Sequence, residues 1–171
     1  MLLGLNLLWV GAVLFLNGIW LIGKIDDKEI SIINIFVGGL TLIVSLTIAL
    51  NAEATLESIQ AGAFTLLFSL TYLWVAFGRY NGADGRGLGW YSLFVSITTI
   101  PIAISTFQGA TTAWGFWFGV SWASWCVLWF MYFLLLALGK PIQKITGWAT
   151  LIMGIYTGWI PGYLLLKGIL S

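Results

Sequence analysis

The chain has 171 residues, 60% hydrophobic and 8% charged, with seven basic and six acidic side chains, no histidine and a mean hydropathy of +1.01. Soluble domains carry about 25% charged residues, so a water-soluble enzyme is excluded, and a net charge of +1 gives no reason to expect a nucleic-acid partner. The composition is that of an integral membrane protein.

Charges fall in short clusters, and the gaps between them are long enough to cross ~30 Å of hydrocarbon at about 1.5 Å per residue. Residues 1–23 form the first such gap. It lacks a basic leader and a small-x-small cleavage site before Lys24, so it is expected to persist as a first helix. On it Asn6, Val10, Val13 and Asn17 share a face, with Leu3, Leu7 and Leu14 beside them. Asparagine is costly against lipid, so Asn6 and Asn17 are expected to face the bundle interior or a cavity, either as interhelical contacts or as lining. Residues 30–52 and 58–78 are the second and third spans. The third stacks Phe64, Phe68 and Tyr72 at steps of four, flanked by Thr65 and Thr71.

Gly87 to Gly139 is charge-free but too long for one helix, and the polar, small-residue stretch Thr106–Ala113 divides it into spans four and five. The fifth carries five tryptophans within residues 114–130. Trp114, Phe118, Trp122, Trp125 and Trp129 follow steps of four, four, three and four, which confines them to an arc of about 80° over a rise of ~22 Å. Interfacial tryptophans stay at headgroup depth, and this stripe runs deeper. Packing between helices or a wall of a pore would both explain it. The sixth span, 145–166, repeats Thr146, Thr150, Met153 and Thr157 on one face.

Six of the seven basic residues (Lys24, Lys28, Arg79, Arg86, Lys140 and Lys144) lie in the connections after helices one, three and five. The positive-inside rule makes that side cytoplasmic and puts both termini on the outer face of the cytoplasmic (inner) membrane. Three hairpins therefore follow one another, and the second helix of each opens alike: 33–39, 91–97 and, more weakly, 149–155. One membrane domain is expected over 1–171. No span contains an ionisable acid or base, which removes proton relays and general bases, and no metal-ligand or cofactor-binding set is present. Neutral donors and acceptors between aromatic and aliphatic walls suit a small, flat, uncharged solute.

Several stretches resemble the AmiS/UreI family of urea and short-chain amide channels: Leu-Gly-Leu-Asn-Leu-Leu-Trp-Val-Gly at 3–11, Asn-Ile-Phe-Val-Gly-Gly-Leu at 34–40, Thr-Leu-Leu-Phe-Ser-Leu-Thr-Tyr-Leu-Trp at 65–74, Trp-Ala-Ser-Trp-Cys-Val-Leu-Trp at 122–129 and Thr-Gly-Trp-Ile-Pro-Gly at 157–162. The resemblance implies an all-α membrane protein of six helices around a pore in each protomer, a homo-hexamer surrounded by lipid, passive permeation, and a functional link to a cytoplasmic amidase or urease. It places two constrictions on Leu3, Leu7, Val10, Leu14, Phe68, Tyr72, Trp122, Trp125, Leu128 and Trp129, with Asn6, Asn17, Thr71, Met153 and Thr157 as further polar pore contacts. Acid-gated members carry a longer, histidine-bearing connection than residues 51–58 here, and urea-selective members carry glutamate at the place of Met153. Both departures point to the ungated, amide-associated branch. An alternating-access amide carrier and a non-transporting scaffold are the competing readings.

Overall fold

The computed structural model describes residues 2–170, so Met1 and Ser171, at the ends of the expected domain, lie outside the described residues. Six helices are each long and apolar enough to cross a membrane: α1 Leu2–Leu21, α2 Asp27–Ala49, α3 Leu56–Tyr80, α4 Arg86–Gln108, α5 Ala113–Ala137 and α6 Gln143–Leu166. No strand occurs among the described residues. The ends follow local chemistry more closely than charge alone. Asp26 accepts from the Lys28 N–H at 2.8 Å and starts α2 ahead of its charged turn. Thr55 and Ser58 form a capping box that opens α3, and Thr112 accepts from the Gly115 N–H to open α5. The basic-side connections each turn through glycine at positive φ (Gly23 +84°, Gly85 +83°, Gly139 +62°), a conformation that costs L-residues with a Cβ.

The tightest packing is not within the three consecutive hairpins but between their neighbours, α2 with α3, α4 with α5, and α1 with α6. Small residues allow it. On α1, Gly4, Gly11 and Gly18 recur every seven positions and meet α6. A Cβ at Gly11 would lie 2.2 Å from the Trp159 nitrogen, and one at Gly158 would lie 2.5 Å from the Gly11 Cα. Between α2 and α3 the Ser69 hydroxyl donates to the Gly38 carbonyl at 2.8 Å, and between α4 and α5 the Ser96 hydroxyl donates to the Cys126 carbonyl at 2.9 Å.

The hairpin repeat extends through the buried positions at a step of 58 residues. Asn34, Ser92 and Thr150 are all buried, as are Thr41, Thr99 and Thr157. On the preceding helices Val10, Phe68 and Trp125 correspond, and so do Leu14, Tyr72 and Trp129, the second step in each case being one residue shorter, 57. These six belong to a single buried cluster at the centre of the bundle.

Within α6 the residues Gly154–Trp159 are π-helical. Ile160 donates to the Ile155 carbonyl, so in that register the next carbonyl, of Tyr156, faces Pro161, which has no N–H to give. The Trp117 indole N–H of α5 donates to it instead, at 2.8 Å. The break in α6 is thus bonded laterally to α5.

Candidate functional site

Three cavities lie in line through the bundle. A vestibule of about 350 Å³ opens on the side where α1 begins, between α1, α2, α3, α4 and α5. A central cavity of about 30 Å³ follows, and a third of about 80 Å³ lies at the basic side. Phe68 and Trp125 line both the vestibule and the central cavity, and Val75, Leu88 and Tyr132 line both the central and the basic-side cavities. The path therefore narrows twice, first between two aromatic rings and then around Tyr132.

The first narrowing is built edge to face. Phe68 of α3 stands between two indoles of α5, its ring centroid 4.8 Å from Trp125 and 4.8 Å from Trp129, at interplanar angles of 81° and 62°. Trp122 meets Trp125 at 5.1 Å and 86°. Such contacts satisfy the ring quadrupoles and contribute about 0.5–1.5 kcal/mol each beyond burial, enough to hold rings that border an empty space.

Hydrogen bonds lock the indoles further. The Thr157 hydroxyl donates to the Met153 carbonyl one turn back and accepts from the Trp125 indole N–H at 2.9 Å. Thr71 repeats the arrangement, donating to the Leu67 carbonyl at 2.7 Å and accepting from Trp129 at 3.2 Å. Both indole N–H groups are therefore already partnered. Asn17 is engaged as well: its amide and that of Asn34 bond each other reciprocally at 3.1 and 2.6 Å, joining α1 to α2. Among the described residues two buried side-chain polar atoms lack partners, the Oδ1 of Asn6, which lines the vestibule, and the hydroxyl of Tyr72, which lines the central cavity.

The vestibule receives Leu3, Asn6, Leu7, Val10 and Trp122, the junction Phe68 and Trp125, and the central cavity Leu14, Asn17, Thr71, Tyr72, Leu128 and Trp129. Met153 and Thr157 are not among the described residues lining these three cavities. Met153 packs against the core cluster, and Thr157 is fully buried behind Trp125. Sequence reasoning did not name Ser92 and Tyr132, which line the central cavity. Tyr132 lies three positions beyond Trp129, so extending the stripe by one step reaches it; Ser92 lies one repeat beyond Asn34.

At the basic-side mouth the Trp20 indole donates to Asp27 at 2.7 Å, and Arg79 stands 4.0 Å from Asp27 and 5.8 Å from the Trp20 ring. Asp84, in the connection beside it, is held below the usual carboxylate range by the Arg86 backbone N–H and then by the Arg86 side chain. The central cavity carries no lysine, arginine, aspartate or glutamate. A charged solute there would lose its hydration without compensation, whereas a neutral planar one meets rings and a free hydroxyl.

Residues 2–169 match the AmiS/UreI family of transporters. The chain belongs to this family. It is 39% identical to an acid-activated urea channel of Helicobacter pylori, with 95% of this chain and 96% of that one aligned. It is 38% identical to a putative amidate substrates transporter of Mycolicibacterium smegmatis, covering 96% of this chain and 76% of the relative. The crystal structure of the H. pylori urea channel superposes with a TM-score of 0.87 at 38% identity, over all of both chains. These AmiS/UreI relatives are transporters or channels, and the chain shares their all-helical, multi-pass membrane architecture.

Proposed function

We propose that the protein is a passive channel of the inner membrane for small, neutral, planar solutes, namely short-chain aliphatic amides and urea, and that it is not acid-gated. The observation that carries this reading is the series of three cavities separated by shared walls, Phe68 and Trp125 standing between the first two, with no charged group lining the central one among the described residues. An amide stripped of water without replacement loses roughly 2–7 kcal/mol. The unpartnered Asn6 Oδ1 accepts from an amide N–H on entry, and the Tyr72 hydroxyl donates to its carbonyl further in. The constriction set is Leu3, Leu7, Val10, Leu14, Phe68, Tyr72, Trp122, Trp125, Leu128 and Trp129. Thr71, which lines the central cavity, and Thr157, which does not, serve it as anchors for Trp129 and Trp125.

Six basic residues on one side support a cytoplasmic placement of that side, with both termini outside. The alignment with the urea channel spans 190 positions, more than this chain's 171 residues, so that relative carries insertions this chain lacks. Together with the absence of histidine this supports the ungated reading. The apolar outer faces of α2 and α4, with Phe36, Trp90 and Phe94 exposed, accommodate lipid or the neighbours of a homo-hexamer. The permeant would feed a cytoplasmic amide- or urea-hydrolysing enzyme.

Stopped-flow swelling of proteoliposomes in urea, formamide, acetamide and propionamide tests the reading. The expected result is flux linear in concentration and falling with solute size. Saturation with counterflow would establish a carrier, and permeability equal to that of empty liposomes would establish a scaffold.

A further inference from the structure

The vestibule holds a combination that its use as an antechamber for neutral solutes does not require. Five aromatic rings line it: Phe64, Phe68, Phe118, Trp122 and Trp125. They form a connected cup, with Phe64 to Trp122 at 6.1 Å, Phe118 to Trp122 at 5.9 Å and Phe118 to Trp125 at 6.4 Å. Among the described lining residues the one ionisable side chain is a carboxylate, Glu57, exposed at the rim of the same cavity. Asn6, 6% exposed, lines it too, and its acceptor oxygen is buried without a partner. Ring faces, a carboxylate and a free acceptor around one space are the elements that hold an organic cation.

Beyond the vestibule the chemistry reverses. Phe68 and Trp125 close it, and the central cavity behind them contributes no carboxylate and only about 30 Å³. A cation drawn into the cup has no counter-charge to follow inward, so the desolvation penalty that admits neutral solutes stops it.

We propose that the vestibule is a docking site for small planar organic cations, the guanidinium and amidinium counterparts of urea and the amides, and that such ions bind there and block the path. Guanidinium has the flat three-armed shape of urea and keeps its charge at all physiological pH. Its N–H groups reach Asn6 Oδ1 and Glu57 while its face lies on a ring. The block rests on the channel reading above, but binding does not, and the two are measured separately.

Guanidinium chloride at up to 20 millimolar is titrated into purified protein in detergent by calorimetry, with sodium chloride and urea as charge and shape controls. Acetamide flux into proteoliposomes is then followed with each salt present on both sides, as a fraction of each preparation's own uninhibited flux. Saturable binding of guanidinium, absent for sodium and weaker for urea, is expected, with a matching fall in flux. Glu57→Gln should weaken binding roughly three- to fivefold, the scale of one exposed charge pair. Phe118→Leu should weaken it by a similar factor, about that of one cation–π contact. Three results would each overturn the proposal: no binding beyond the sodium control, affinity unchanged in both variants, or radiolabelled guanidinium crossing at the rate of urea. Protein that binds guanidinium but passes no acetamide would retain the site and refute the channel reading instead.

Discussion

Replacing Thr157 with valine tests whether the selectivity of the slot depends on a residue outside it. Valine matches threonine in shape, so packing in the fully buried site is kept and the hydroxyl alone is lost. That hydroxyl is the acceptor for the Trp125 indole N–H at 2.9 Å, and Trp125 is itself 2% exposed. A buried donor left without a partner costs about 1–3 kcal/mol. The indole escapes this cost by turning its N–H toward one of the two cavities it borders, and a turn toward the central cavity brings the ring across the junction with Phe68. If the whole penalty enters the permeation barrier, acetamide flux falls between about fivefold and a hundredfold, because 1.36 kcal/mol is roughly tenfold in rate. Propionamide, being larger, falls further. Thr157→Ser keeps the acceptor and should behave as the original protein. Stopped-flow swelling with both amides, alongside thermal melting in detergent, gives the measurement. Folded Thr157→Val protein with unchanged permeability to both amides would show that ring packing alone fixes Trp125, and the anchoring argument would fail.

Tyr72→Phe removes an unpartnered buried hydroxyl, so melting temperature should hold or rise while amide flux drops severalfold; a stability loss with unchanged flux would contradict a solute contact. Gly11→Ala drives a Cβ to 2.2 Å from the Trp159 backbone nitrogen, which cannot yield, and should cost at least the roughly 1–3 kcal/mol of overpacking, whereas Gly39→Ala, with nothing within 4 Å, should melt as the parent does. Equal melting of the two would disprove the α1 to α6 contact. Met153→Glu puts a carboxylate against the apolar core, so folded yield should fall and the urea-to-acetamide ratio should stay constant; a raised ratio would place the carboxylate in the path. Flux should be flat from about pH 5 to pH 7.5, because the chain has no histidine to titrate near its usual value of about 6.5 and Asp84, held low by Arg86, stays ionised across the window. A tenfold rise in efflux at the acidic end would show a gate.

The spans were readable because charges bracket them, or, between the fourth and fifth, because the polar stretch 106–113 divides them, and the α5 stripe because steps of four, four, three and four keep one face. Asn6 stood out on α1 for the cost of burying an amide, and its oxygen is one of the two unpartnered atoms. What periodicity could not supply was the partner of each polar group. Asn6 and Asn17 share a face of one helix, yet one is free and the other is joined to Asn34, a residue 17 positions on. Thr157 reads as lining from its spacing, but it is fully buried and accepts from the Trp125 indole, as its equivalents Thr41 and Thr99 are buried on α2 and α4. The glycines at 4, 11 and 18 announce close packing without saying against what, since α6 lies more than a hundred residues away.

The repeat also explains why the cavity walls are unequal. Three equivalent helices bring corresponding positions to the path, and identical residues there would make a ring with threefold shape. The layers have instead diverged by helix: α1 supplies Val10 and Leu14, α3 supplies Phe68 and Tyr72, and α5 supplies Trp125 and Trp129. One wall is therefore aliphatic and two are aromatic, and Phe68 is wedged between the indoles. The aliphatic wall belongs to the helix that glycines press against α6, and the larger indole wall belongs to the helix whose rings are tied by the hydroxyls of Thr71 and Thr157. On the proposed channel reading, a ring face opposite a row of methyl groups favours a flat molecule over a tetrahedral one of equal mass. The three repeats thus differ most at the cavity walls and remain most alike at the buried Thr41, Thr99 and Thr157 of α2, α4 and α6.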